Sequence, residues 1–196
     1  MSNKYYKTKW DGLSFNEKIE LSKKEEDKLS SFLIQKCNFN QIIPTRDSIK
    51  TQAKEKSIIL PDLMGVHKNN KEYFIELKCK NRRMKFKDNG IDLNKAKSYL
   101  KAGEVFYKNV LLVFIDDERE WKTEYPFVDS LFKDRFGICT YYGNWIDKLY
   151  DQTPKNPITT FWSGGKEIIC FPLSNMKDIE EIFKERQTKL SFGVID

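Results

Sequence analysis

Six consecutive apolar residues, Val110-Leu-Leu-Val-Phe-Ile115, leave little choice of architecture. A strand with one wet face alternates apolar with polar side chains. An unbroken apolar run of this length is a strand buried on both faces. Such a strand needs covering layers, so helices must flank a sheet. The chain can supply them. Its 196 residues are 39% hydrophobic and 14% aromatic, enough for one domain with a substantial core and short for two.

The order of elements points the same way. Ser14-Phe-Asn-Glu17 and Ser22-Lys-Lys-Glu25 both fit the capping box that opens a helix. Either one helix spans about 15 to 36, or it breaks near Leu21. Leu29, Phe32 and Leu33 form its apolar face, with Glu25 and Glu26 a turn earlier on the same side. Phe39 to Thr45 reads as a strand ended by Pro44, and Arg46 to Lys56 as a loop or short helix. Ile58 to Val66 and Glu72 to Cys79 form a hairpin about the turn Asn69-Asn70. A basic loop, Lys80 to Lys87, precedes a helix expected over Ile91 to Lys101 and the buried strand. Beyond it, Phe136 to Tyr142 suggests a strand and Trp145 to Tyr150 a short helix. Thr159 to Trp162 and Glu167 to Phe171 flank the turn Ser163-Gly-Gly-Lys166. Ile179, Ile182 and Phe183 mark a last amphipathic helix starting near Ser174 or Asn175. The expected class is α/β, a mixed sheet flanked by helices in a single domain.

Charge and cysteines narrow the partners. A net charge of +6 favours a polyanion. An AT-rich genome yields Lys, Asn and Ile without selection for binding, so charge alone does not establish DNA. No stretch reaches the ~20 apolar residues of a membrane span. Residues 1 to 10 lack the apolar segment of a secretory signal, so a cytoplasmic protein without a membrane partner is expected. Cys37, Cys79, Cys139 and Cys170 include no CxxC pair, and His67 is the only histidine. That argues against structural zinc and for reduced thiols.

The chemistry lies in Pro61-Asp62 and Glu76-Leu77-Lys78. Alternation sends Tyr73, Ile75, Leu77 and Cys79 to one face of their strand and Phe74, Glu76 and Lys78 to the other. A hairpin partner carrying Asp62 brings a second carboxylate beside Glu76. Two such acids repel, and burial raises the cost. Magnesium would relieve both, since it takes oxygen ligands from one or two carboxylates plus waters and phosphate. The Leu77 carbonyl is a further available oxygen. Lys78 would orient water or stabilise developing charge, an electrostatic role rather than that of a general base. The alternative is an ordinary cross-strand ion pair on a surface hairpin. That alternative does not explain an acid inside the apolar run Ile58-Ile-Leu-Pro-Asp-Leu-Met.

Over roughly Glu25 to Ile115, these motifs and the element order resemble the PD-(D/E)xK nuclease superfamily, which includes restriction enzymes, Holliday junction resolvases and phage exonucleases. The resemblance implies a restriction-endonuclease-like fold with a nuclease core over 22–115. It leaves an N-terminal arm over 1–13 and a C-terminal elaboration over 116–196. It implies Mg²⁺-dependent hydrolysis of DNA phosphodiester bonds, with Mn²⁺ able to substitute, by in-line attack of water leaving a 5′ phosphate. Carried over by position, Asp62, Glu76 and the Leu77 carbonyl hold the metal and Lys78 assists. Glu26 is the first-helix acid, with Glu25 its rival. Some members carry Gln and Tyr on the helix after the core; here Lys95-Ala-Lys-Ser-Tyr99 has Lys in place of Gln.

Lys80, Arg82, Arg83 and Lys85 follow the motif and would neutralise phosphates beside the cut, with Lys87 and, less directly, Lys95, Lys97 and Lys101 extending the track. Lys4, Tyr5, Tyr6, Lys7, Lys9 and Trp10 either grip a strand or form a solvated or docked tail. His67 is expected to be solvent-exposed, and Trp121, Trp145 and Trp162 to be core. Asp116, Asp117 and Glu118 read as an acidic loop. A homodimer would supply two active sites for a double-strand cut. A catalytically inactive nucleic-acid-binding module of the same fold, or a partner protein with an accidental motif, are the rival readings.

Overall fold

The computed structural model describes residues 12–79, 88–115, 141–153, 158–159 and 166–184. The arm at 1–11, the basic run 80–87 and the acidic loop after residue 115 lie outside the described residues, as do Cys139, Trp121 and Trp162.

The first helix is continuous. α1 spans Phe15–Lys36, opened by Ser14 and Glu17 in a reciprocal capping box. Ser22-Lys-Lys-Glu25 lies inside it, where backbone N–H groups already have helical partners and no second start is needed. β1 (Phe39–Pro44), α2 (Asp47–Glu55), β2 (Leu63–His67) and β3 (Glu72–Cys79) follow. The strand expected from Ile58 therefore begins only at Leu63. Pro61 has no N–H for a ladder, and β1 pairs with β2 only as far as Pro44 opposite Leu63. Next come β4 (Asp88–Asp92), α3 (Leu93–Phe106) and β5 (Asn109–Ile115). Ile91 lies in β4 rather than in the helix, because Asp92 caps α3 through the N–H groups of Asn94 and Lys95.

β6 is Tyr141–Trp145, so the strand runs past the expected Tyr142 to Trp145, while 136–140 of the expected strand lie outside the described residues; α4 is Ile146–Asp151. β7 (Ile158–Thr159) and β8 (Glu167–Pro172) pair antiparallel, as the glycine turn predicts. The last helix starts later than expected. Leu173–Asn175 form a 3-10 turn and β9 covers Lys177–Asp178, so α5 covers 179–184.

The main sheet has the order β1-β2-β3-β5-β6-β9, and β4-β8-β7 form a smaller sheet. β1, β2 and β3 are an antiparallel meander, β5 runs parallel to β3, and β6 returns antiparallel to β5. α3 makes the crossover that a parallel pair requires. β5 divides its side chains as its sequence predicts. Leu111, Val113 and Ile115 pack with Leu29 and Leu33 of α1 and with Ile179 and Phe183 of α5. Val110, Leu112 and Phe114 pack with Ala96 and Tyr99 of α3 and with Ile169 and Phe171 of β8. The sheet thus sits between two apolar layers, a mixed α/β architecture. Gly143 allows β5 and β6 to approach, since a Cβ there would lie 1.9 Å from the Leu112 carbonyl oxygen. Among the described residues, no helix is long and apolar enough to cross a membrane.

Candidate active site

Strand alternation fixes the site. On β3, Tyr73 and Ile75 enter the α1 layer, with Leu77 and Cys79 packed at its margin, and Phe74 enters the α3 layer. Glu76 and Lys78 share the Phe74 face. The register pairs Leu63 with Ile75, which brings Asp62, just before β2, alongside Glu76. The Asp62 backbone N–H donates to Glu76 Oε2 at 3.3 Å. Glu76 is 1% exposed while Asp62 opens to solvent, so the pair spans the boundary between core and water.

Glu76 has three partners. Lys78 Nζ, on the same strand face, donates to Oε1 as an ion pair, and its side chain is 20% exposed. Tyr99 of α3 contributes its phenol as a hydrogen-bond donor. Burial pushes the Glu76 carboxyl above the usual glutamate range, and the charge of Asp62 pushes the same way. Lys78 and Tyr99 oppose that rise. Burial also raises the Tyr99 phenol, and the Glu76 charge beside it adds to the rise.

Two hydrogen bonds steady the segment carrying Asp62 from the β1 side. The buried Thr45 hydroxyl donates to the Pro61 carbonyl at 2.6 Å, and the Thr45 N–H to the Asp62 carbonyl at 2.9 Å. On the α3 side, the Ile59 N–H donates to Ser98 Oγ at 2.6 Å.

The two acids of α1 part company. Glu25 is buried, bonds Lys28 at 3.0 Å and adds its charge to the raised phenol of Tyr141. Glu26 lies toward the site. Its carboxyl is raised first by burial, then by the charges of Asp62 and Glu76, while the Ser22 hydroxyl donates to it at 3.4 Å. The structure thus brings together Asp62, Glu76, Lys78 and Glu26, with Leu77 between the two polar residues of β3. Lys80, Arg82, Arg83 and Lys85 lie outside the described residues.

Tyr99 and Thr45 were missed as contributors. The Tyr99 spacing on its helix was visible in the sequence; its reach to Glu76 was not. His67 is a correction. It is only 7% exposed, stacked on Phe183 with centroids 5.9 Å apart and edge-on to Phe39 and Tyr73. β1, β3 and α5 converge there, and their rings enclose a strand end that alone reads as loop. Trp145 is core as expected. Cys37 is buried, which pushes its thiol up to about 12, so it is no nucleophile.

The oxygens of Asp62, Glu76 and Glu26 are the donors here that could hold a cation. Among the described residues, no three His, Cys, Asp or Glu side chains form a ready-made metal cluster. No protein-family model matches the chain, and no curated protein matches it.

Proposed function

We propose that this protein is a Mg²⁺-dependent deoxyribonuclease of restriction-endonuclease-like fold. One observation carries the reading: a buried carboxylate, Glu76, receives the N–H of Asp62 and lies within reach of the Asp62 and Glu26 charges, beside Lys78. Like charges gathered this closely oppose one another, and the Lys78 ammonium is the one cation bonded to Glu76 among the described residues. An all-oxygen donor set of this kind fits a hard divalent cation better than a soft one. The element order supports the same fold: a helix, a three-stranded meander, a crossover helix and a parallel strand.

Asp62 and Glu76 would hold the cation, which supplies Lewis-acid polarisation of a phosphate and a water of lowered pKa. The chain's own groups do the rest. Tyr99 donates to Glu76 and favours its ionised form, the form that binds cations. Lys78 presents a positive charge on the same face, placed to stabilise the extra negative charge of a phosphate under attack. Glu26 has a raised proton affinity, which suits it to accept a proton at the solvent-facing edge of the site.

The test is cleavage of supercoiled plasmid by wild type and Asp62→Ala, each with Mg²⁺ and with EDTA. Asp62 is exposed, so its loss leaves the fold intact. The expected result is nicking by wild type with Mg²⁺ alone, reduced at least about a hundredfold by the substitution. Nicking unchanged by Asp62→Ala would refute the site. DNA binding without nicking under any condition would favour a binding module instead.

A further inference from the structure

A cleft of about 600 Å³ lies between α2 and the segment 57–62, and Asp62 forms part of its wall. Lys50 and Lys54 line the opposite side. They stand one helical turn apart on α2 and therefore share a face. Both are exposed. Lys50 pairs with Asp47 at 3.1 Å, but Asp47 is almost fully in solvent, and such a pair yields readily to a phosphate. The apolar side of the cleft is Ile59, Leu60 and Pro61, with Ile59 47% exposed.

The cleft is built rather than incidental. Ala53 and Ile58 at its base belong to the α3-side core. The bond from Ile59 N–H to Ser98 fixes the apolar side from behind, and Thr45 fixes its Pro61 end. Cations on one wall, an apolar shelf on the other and a candidate catalytic carboxylate at one end match a nucleic-acid strand: phosphates to the lysines, sugar or base edge to the shelf.

We propose that this cleft is the track that leads one DNA strand to Asp62, with Lys50 and Lys54 each holding a backbone phosphate. The identity of the strand rests on the deoxyribonuclease reading above; the cleft and its charges do not. The contact is to the backbone, so it adds affinity without sequence preference.

The test is the salt dependence of binding by the full chain to a fluorescein-labelled duplex of arbitrary sequence, in EDTA so that no strand is cut. Each phosphate contact contributes roughly 0.9 to the slope of log affinity against log salt. Lys50→Gln with Lys54→Gln should flatten that slope by about 1.8, while Lys50→Arg with Lys54→Arg should keep it. Lys23→Gln with Lys24→Gln on exposed α1 removes the same charge and should leave the slope unchanged. A slope unmoved at Lys50 and Lys54, or flattened equally by the α1 pair, overturns the track. If plasmid is still nicked while the slope stays unmoved, the track alone falls. If the slope flattens but no nicking occurs, the track stands without the nuclease. A wild type without DNA affinity sinks both.

Discussion

Tyr99 of α3 donates a hydrogen bond to the Glu76 carboxylate of β3, so the helix that covers one face of the sheet also holds the sheet's buried acid. Removing the hydroxyl removes a group that favours ionised Glu76. A hydrogen bond to a charged group is worth roughly 1.5–3 kcal/mol, or about tenfold to a hundredfold in rate. Tyr99→Phe should therefore slow cleavage by that factor near neutral pH. The acid limb of its pH–rate profile should move to higher pH, because Glu76 then loses its proton less readily. A variant that loses rate with an unmoved acid limb would assign the phenol to packing alone.

Asp62 raises the proton affinity of both Glu26 and Glu76 by its charge. Neutralising it should relax the metal-free protein. Asp62→Asn is expected to melt slightly higher than wild type in EDTA, a small gain because solvent screens the exposed Asp62 charge. Wild type should gain stability on adding Mg²⁺ by mass action, and the variant should gain little. Thermal denaturation with and without Mg²⁺ reads both effects, and equal gains in the two proteins would remove Asp62 from the metal site.

Glu26 carries a pH signature of its own. Its carboxyl is raised above its ordinary 4.5, chiefly by burial, so between 4.5 and the raised value the folded state binds more protons than the unfolded one. Stability then falls as pH rises through that window, and the full penalty persists above it. Glu72 behaves oppositely. The Lys108 hydrogen bond holds its carboxyl low, so its contribution is present above 4.5 and is lost as pH falls through the depressed value. In metal-free buffer, the stability advantage of Glu26→Gln over wild type should be absent below about 4.5 and grow above it. Urea melts at a series of pH values measure the difference, and an advantage independent of pH would contradict the assignment.

Thr45 is the anchor on the β1 side of Asp62. Thr45→Val keeps the shape and the backbone bond to the Asp62 carbonyl but leaves the Pro61 carbonyl without its 2.6 Å partner. The expected cost is about 1–3 kcal/mol, with weaker Mg²⁺ binding because the segment can shift. Urea unfolding and Mg²⁺ titration follow the two consequences. A variant as stable as wild type, with equal Mg²⁺ affinity, would show that the segment holds its place without this bond.

Much of this arrangement is legible in the chain because period and composition are local signals. The VLLVFI run becomes β5, buried on both faces, and alternation along Glu72–Cys79 puts Glu76 and Lys78 together. The capping box at Ser14 sets the start of α1. The failures are tertiary. The ladder that β2 can form is set by where β1 ends at Pro44, which the apolar run Ile58 to Val66 does not record. His67 is enclosed by rings from three other elements. Adjacent residues of α1 point in different directions, and only the docking of the helix on the sheet decides that Glu25 ends near Tyr141 of β6 and Glu26 near Asp62. The basic run after Cys79, plain in the sequence, lies outside the described residues.

Chain connectivity sets an order of assembly on the site. β2 and β3 meet across the turn at Asn69 and Asn70, a short loop to close, whereas α3 reaches the sheet only after β4 and belongs to the crossover before β5. In pulse-labelled refolding, amide protection should thus appear in the hairpin before it appears in α3. Asp62 and Glu76 then become neighbours while the phenol of Tyr99 is still distant, and a chain halted at that stage would have its acids gathered but nothing from the helix to steady them.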